Sequence, residues 1–274
     1  YTRELIAALR KHNPRDVFVE STGSPYTQPS DDVHYPFFDP FYLTLPWYYR
    51  RKTVITIHDL IPLKYPLHFK KGVRGRIKWQ IQKLRARFAT AIITDSASSA
   101  LDIKRLIGIA ESKIHVVPLA APTVRTTLSV NHKVKKLYQL PVNYILYVGD
   151  INWNKNVLGL IAAFNKVKSS DVHLVLVGKV FSDKPGIPEY LSIMDAIHKS
   201  PKSALIHPLG YIPGHYLGSL YSLATLYCQP SWDEGFGFPL LEAMALGCPV
   251  VSSDRGSLRE VGGSAAVYFD PGSK

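Results

Sequence analysis

Two consecutive α/β units, each built on a parallel sheet, are what this sequence predicts, and three observations carry the prediction. Short β-branched runs alternate with amphipathic stretches of helical period along the whole chain. Several of those runs are apolar throughout rather than alternating, as expected of strands covered on both faces. Residues 121–142 hold two prolines and polar side chains without a strong apolar period, which reads as a break between units. The expected division is a first unit over 1–125, a linker over 126–142 and a second unit over 143–274.

Strands are expected at 16–20, 53–57, 91–94 and 114–117 in the first unit. In the second they fall at 144–148, 173–177, 204–207, 225–229 and 249–252, with a last one ending at Phe269 before the turn Asp270-Pro271-Gly272. Helices are expected over 1–11, 70–88, 97–107, 157–168, 216–224 and 239–246. Along 70–88, the spacing of Ile77, Ile81, Leu84 and Phe88 predicts a buried face, with Arg74, Lys78 and Arg85 in solvent. An α/β unit ordinarily opens on a strand and a glycine-rich turn, whereas Tyr1 starts directly on a helix. The sequence therefore reads as a piece without its first strand and its last helices.

At 274 residues and 46% hydrophobic content, the chain can bury one large core or two modest ones. No apolar run approaches the ~18–20 residues that span a bilayer. Cys228 and Cys248 stand in apolar surroundings without metal-site spacing, and read as reduced thiols packed inside a cytoplasmic protein. The net charge of +12 is uneven. Residues 1–120 carry 19 Lys or Arg against 10 Asp or Glu, and the stretch from Lys64 to Arg87 has nine basic residues and no acidic one. Such a surface attracts anions, with an anionic membrane surface the expected partner and a merely solvated face the alternative. No nucleic-acid-binding motif accompanies the charge, so nucleic acid is not an expected partner.

The most informative stretch runs from Tyr227 to Ala245. A strand ends near Pro230, a loop containing Gly235-Phe236-Gly237 follows, and Pro239 suits the first turn of a helix because its missing N–H costs nothing there. The backbone amides of Gly235, Phe236 and Gly237 would then meet a diphosphate at a helix N-terminus, helped by the helix dipole. From within the helix, Glu242 could reach a ribose diol. Glu234 lies on the loop where a bound sugar would project.

These residues carry a specific resemblance. Glu234 and Glu242 form a Glu-x7-Glu pattern embedded in Pro230-Ser231, Gly-Phe-Gly-Phe-Pro, Glu-Ala-Met-Ala and Gly-Cys-Pro-Val-Val, with Gly256-Ser257-Leu258-Arg259-Glu260-Val261 beyond. The run resembles the signature of glycosyltransferase family 4 and related retaining enzymes of the GT-B fold, in which two Rossmann-like doubly wound domains face a cleft. Tyr147-Val148-Gly149 followed by Asn152-Trp153-Asn154-Lys155-Asn156 resembles the family's phosphate-contacting Arg-Lys-Asn turn. Lys155 takes the place of its lysine, while Asn154 replaces its arginine. Leu209-Gly210-Tyr211-Ile212 is similar to a strand end of the donor domain and implies base-side contacts near Tyr211 and Ile212. In the first unit, His58 follows Val54-Ile55-Thr56-Ile57 at a strand end, where parallel sheets bind ligands, and resembles a family histidine that faces the donor sugar.

The resemblance implies a retaining hexosyltransferase, mannose or glucose in type, acting from a nucleotide-diphosphate sugar onto a glycan or lipid-linked acceptor. Glu234 and His58 would be the catalytic pair; Lys155, Asn154 and the Gly235–Gly237 amides would hold the diphosphate, and Glu242 the ribose. No cofactor is expected beyond the donor itself. The sequence contains no Asp-x-Asp pair, so no metal is expected either, and fixed protein dipoles and Lys155 would meet the developing charge. The expected location is cytoplasmic, peripheral on the inner face of the membrane. A dinucleotide-dependent oxidoreductase would need Gly-x-Gly-x-x-Gly after a strand, and Leu240 occupies the third glycine's place. A truncated or degenerate member that binds nucleotide sugar without transfer is the remaining alternative.

Overall fold

The computed structural model describes residues 2–21, 30–121, 126–183 and 186–273. They separate into two compact units, one made of Tyr1–Thr94 with Ala100–Val117, the other of Asp95–Ser99 with Pro118–Lys274.

The first unit contains α1 (Thr2–His12), β1 (Asp32–Tyr35), β2 (Lys52–Thr56), α2 (Ile61–Lys64), α3 (Val73–Arg87), β3 (Ala91–Thr94) and β4 (Ile114–Val116). α4 (Ala97–Asp102) lies between β3 and β4 and continues as a π-turn over Ile103–Ile107. The four strands are parallel and run in chain order, β1-β2-β3-β4. Ile55, Ile57, Leu60, Ile92, Ile103 and Ile107 are fully buried and centre this unit's core. Two expectations fail here. Residues 17–20 have no regular structure, because Val17 and Val19 are 89% and 57% exposed and have no strand to pair with among the described residues. The strand instead forms at Asp32–Tyr35, beside β2.

α3 also turns the other way round. Its buried residues are Gln82, Arg85 and Ala86, while Ile77, Leu84 and Phe88 are exposed. The reason lies in the loop between β1 and β2, whose backbone needs polar partners. Gln82 Nε2 donates to the Asp39 carbonyl (3.2 Å) and to Thr44 Oγ1 (2.7 Å), its Oε1 accepts from the Leu45 amide (3.4 Å), and Arg85 Nη1 donates to the Leu45 carbonyl (2.5 Å). Satisfying buried backbone groups outweighs the apolar spacing of the helix.

The second unit contains α5 (Leu128–Leu137), β5 (Asn143–Val148), α6 (Val157–Phe164), β6 (Val172–Val177), α7 (Lys179–Asp183), α8 (Pro188–His198) and β7 (Ile206–Gly210). It continues with α9 (Gly214–Leu223), β8 (Leu226–Gln229), α10 (Phe238–Ala245), β9 (Val250–Ser253), α11 (Leu258–Gly262) and β10 (Ala266–Phe269). All six strands are parallel, in the order β10-β9-β8-β5-β6-β7. Tyr144 and Leu146 of β5 face one core layer and Tyr147 the other; in β6, Val175 and Val177 oppose Leu174 and Leu176 in the same way. This is the physical basis of the uninterrupted apolar runs. The stretch expected as a linker is structured: Thr127 Oγ1 accepts from the Val130 amide to cap α5, and Val134 and Leu140 are buried in the second unit's core. α8 was not anticipated, although Pro188 at its first position and Tyr190, Ile193 and Ile197 on one face are helix signals.

Strand order reverses at β5: β6 and β7 lie to one side of it, β8, β9 and β10 to the other. Such a switch opens a crevice at the carboxyl ends of the two central strands, here β5 and β8.

Candidate active site

Both loops that leave this switch point carry sequence-predicted site residues, and the fold ties the loops together. After β5, the chain makes a single 3-10 turn over Trp153–Lys155, and Asn156 then takes a left-handed conformation (φ 53°) to start α6. After β8, residues 230–237 lead to Gly237, the N-cap of α10. The Trp232 amide donates to the Asn154 carbonyl (2.7 Å), Asn154 Nδ2 to the Asp233 carbonyl (3.1 Å) and Asn156 Nδ2 to the Pro230 carbonyl (3.0 Å). Trp153 and Trp232 stack with centroids 6.2 Å apart and planes 10° from parallel.

The result is a buried polar centre. Lys155 Nζ lies 2.9 and 2.8 Å from the two carboxylate oxygens of Glu234. Glu234 Oε1 also accepts from Gln229 Nε2 (2.8 Å) and Ser231 Oγ (2.7 Å), and Tyr227 hydrogen-bonds Gln229 in turn. Glu234 is 7% exposed and the Lys155 side chain 22%. The Glu234 backbone is held as firmly, its carbonyl accepting from the Ser257 amide (3.2 Å) and hydroxyl (3.0 Å). Ser96 and Ser99 hydroxyls, from the segment that belongs to this unit, donate to the Gly235 carbonyl at 2.6 and 3.2 Å. An ion pair at this depth is costly to form unless further hydrogen bonds support it, as those of Gln229 and Ser231 do for Glu234 here. Its chemical consequence is a pre-set ammonium whose counter-ion an incoming anion could replace.

The remaining expected residues sit as follows. Asn154 is buried, and one N–H of its amide is bonded to the Asp233 carbonyl, which fastens the loop. Gly235, Phe236 and Gly237 precede α10, which begins at Phe238, one residue before the expected start, with Pro239 in its first turn. Glu242, one turn into α10, accepts from Tyr221 Oη (2.8 Å), and burial raises its pKa against the lowering effect of that hydrogen bond. Tyr211 is exposed and Ile212 buried, and both line a cavity of about 560 Å³ over the carboxyl ends of β5, β6 and β7. Gly149, Asp150 and Lys179 line the same cavity. In the first unit, His58 lies just beyond the end of β2. Its neighbour His34 is bonded through Nε2 to Thr56 Oγ1 (2.8 Å), and burial, then the nearby His58 charge, lower the His34 pKa. Gln229, Ser231, Tyr227 and His34 were missed from sequence. Gln229-Pro230-Ser231 at a strand end, immediately before the glycine loop, was the signal available for the first two.

Glu242 supplies a test of pH dependence. Its folded pKa is raised, so its contribution to stability is present in full below the unfolded carboxyl pKa and is lost as pH rises through the folded value. Glu242→Gln should therefore raise the melting temperature by a few degrees at pH 7 and leave it unchanged near pH 4. Equal melting shifts at both pH values would show that burial of the charge is not the cause.

A family model described as Glycosyl transferases group 1 matches residues 131–273, and one described as Glycosyltransferase Family 4 matches 30–125. O-antigen chain mannosyltransferase B of Escherichia coli is 30% identical over 225 residues, covering 80% of this chain and 58% of that protein. The serotype-specific mannosyltransferase WbdA of Escherichia coli is 30% identical over 93% of this chain and 30% of its own length. The chain thus spans from under a third to little over half of the relatives it matches. Among solved structures, Anabaena Alr3699/HepE in complex with UDP-glucose has a TM-score of 0.67 at 21% identity, covering 82% of this chain and 60% of that one. WaaG, a glycosyltransferase involved in lipopolysaccharide biosynthesis, has a TM-score of 0.64 at 16% identity over 98% of this chain and 68% of its own. These likenesses agree with the parallel α/β architecture of both units as a GT-B fold. With that fold, the loop pair at the β5–β8 switch point and a family model covering more than half its residues, the chain belongs to the glycosyl transferases group 1 family.

Proposed function

We propose that this chain carries the donor site of a retaining hexosyltransferase that uses a nucleotide-diphosphate sugar, mannose being the favoured sugar, to extend a glycan or lipid-linked acceptor. The observation that carries the reading is the Lys155–Glu234 pair, held by Gln229 and Ser231 at the topological switch point of the second unit. The mannosyltransferase relatives support the choice of sugar. In this reading the diphosphate draws Lys155 from Glu234 and rests against the N-terminus of α10. Glu234 is then free to hold the sugar hydroxyls, Glu242 meets the ribose, and the base enters the cavity lined by Tyr211 and Ile212. The anomeric carbon–phosphate oxygen bond breaks as the acceptor oxygen bonds the same face, and the acceptor's proton passes to the departing diphosphate. Charge on that leaving group is met by Lys155 and the α10 dipole without a metal. His58, just beyond the end of β2, is the first unit's own candidate residue for a sugar contact.

The exposed Ile77, Leu84 and Phe88 of α3, interspersed with its basic residues, support contact with an anionic membrane surface on the cytoplasmic side. No helix among the described residues is long and apolar enough to cross a membrane. One observation favours a second reading, binding without transfer: Asn154 stands where similar enzymes have an arginine, so that position carries no positive charge, and one N–H of its amide is bonded to Asp233. A calorimetric screen of GDP-mannose, GDP-glucose and the UDP-sugars, followed by donor turnover with a lipid-linked saccharide, tests both. Binding with turnover supports transfer, binding without turnover the second reading, and binding of no nucleotide sugar overturns both.

A further inference from the structure

The cavity over the carboxyl ends of β5, β6 and β7 takes apolar side chains from the strand ends and charged ones from α7. Lys179 and Asp183 stand four residues apart, on one face of that helix, and both line the cavity. α7 is tied to β7: the Tyr211 amide donates to Ser182 Oγ (2.7 Å), the Gly178 amide to the Gly210 carbonyl (3.1 Å), and Phe181 is buried. Lys179 Nζ lies 3.8 Å from Asp183 Oδ2, beyond hydrogen-bond range, and the two side chains are 75% and 55% exposed. Both charges can still meet a ligand. Asp150, the other acidic lining residue, is already engaged, its Oδ1 accepting from the Ile151 amide (2.8 Å) and its Oδ2 from Asn152 Nδ2 (3.4 Å).

A carboxylate only accepts, through two oxygens side by side, and two parallel N–H donors match it best. Among the common nucleotide bases, guanine alone offers such a pair on one edge, the ring N–H and the 2-amino group, with the 6-oxo acceptor beside them. Uracil offers one N–H between two carbonyl oxygens. Adenine and cytosine set an amino donor beside a bare ring nitrogen. Each of these three would turn a lone pair toward the carboxylate. An ammonium next to that carboxylate suits the 6-oxo group of guanine. Tyr211, 60% exposed, gives a flat base a face to lie on. Resting on the donor-site reading above, we infer that this cavity selects guanine and that the donor nucleotide is GDP. Asp183 accepts from the ring N–H and the 2-amino group, and Lys179 donates to the 6-oxo oxygen.

Calorimetric titration of GDP, IDP, UDP and ADP into the whole chain tests this without an acceptor or turnover. IDP keeps the ring N–H and the 6-oxo group of guanine and lacks only the 2-amino group. GDP should bind at least about tenfold more tightly than UDP or ADP, about 1.4 kcal/mol, with IDP in between. Asp183→Asn keeps the shape of an exposed side chain, so folding is not at risk. It should cut GDP affinity by about tenfold or more, close the gap between GDP and IDP, and leave UDP where it was. Lys179→Met should weaken GDP and IDP by the same factor, because both carry the 6-oxo group. UDP or ADP bound as tightly as GDP overturns the inference, and so does GDP affinity that either variant leaves unchanged. Asp183→Asn weakening every nucleotide alike also overturns it, since that result puts Asp183 against the ribose or diphosphate they share. In those cases the donor site itself still stands. Binding of no nucleotide overturns both readings.

Discussion

Glu234→Gln should lower sugar transfer by at least about a hundredfold, the usual cost of losing one preorganised polar group at a reacting centre, while nucleotide affinity holds or tightens. The amide keeps the shape of the carboxylate and can still accept from Ser231 Oγ and Gln229 Nε2. It cannot neutralise Lys155, whose ammonium then has no competitor for the donor diphosphate. Glu234→Ala is the harsher variant, because it strips the acceptor from Lys155, Gln229 and Ser231 together. Breaking a buried ion pair from one side costs about 3–5 kcal/mol, so this variant should also melt well below the parent. Lys155→Met completes the set: it should weaken nucleotide binding, where Glu234→Gln does not. Steady-state kinetics with calorimetry of nucleotide diphosphate separates these effects. Equal loss of nucleotide affinity in Glu234→Gln and Lys155→Met would defeat the division of roles proposed for the pair.

Gly256→Ala should destabilise the second unit and disturb the Glu234 loop. Gly256 has φ +58°, and a Cβ there would stand 2.4 Å from Asp233 Oδ1, 2.6 Å from the Glu234 carbonyl oxygen and 2.7 Å from the Glu234 nitrogen. Two of those three atoms are backbone and cannot rotate away, so the Glu234 loop must move. Movement there disrupts the Ser257 bonds to the Glu234 carbonyl and the geometry of the Lys155 pair. Gly247 is the matched control: it has φ +72°, and a Cβ there meets nothing within 4 Å. Gly247→Ala should show only the left-handed strain of about 1–2 kcal/mol, with donor affinity intact. Gly256→Ala should add to that strain a loss of donor affinity of more than tenfold. If the two variants bind nucleotide alike, the close packing of Gly256 against Glu234 has no bearing on the site.

The periodic parts of the fold were readable in advance for a simple reason. Strands such as Ala91–Thr94 and Asn143–Val148 are short apolar runs whose two faces both meet core, and that requirement is written locally. The glycine loop with its following helix was readable on similar grounds, since Gly237, Pro239 and the Glu234–Glu242 spacing depend on neighbours a few residues away. What local pattern could not settle was which polar groups would be needed elsewhere. α3 buries Gln82 and Arg85 because a loop some 40 residues earlier has backbone groups to satisfy. α5 forms in the stretch read as a linker because Val134 reaches a core made by later strands.

The candidate site divides along the same line. Sequence by itself determined the residue types: an ammonium at 155, carboxylates at 234 and 242, and a loop able to accept a phosphate. Only the tertiary structure brought Lys155 and Glu234 together, 79 residues apart, and recruited Gln229 and Ser231 to hold the carboxylate. The same step tied the Asn154 side chain to the Asp233 carbonyl, which fastens one loop to the other. The physical reason is that hydrogen bonding and desolvation act between side chains that meet only after the strands have paired. Which buried group finds a partner, and which is left for a ligand, is therefore decided by strand order and loop approach rather than by any local spacing.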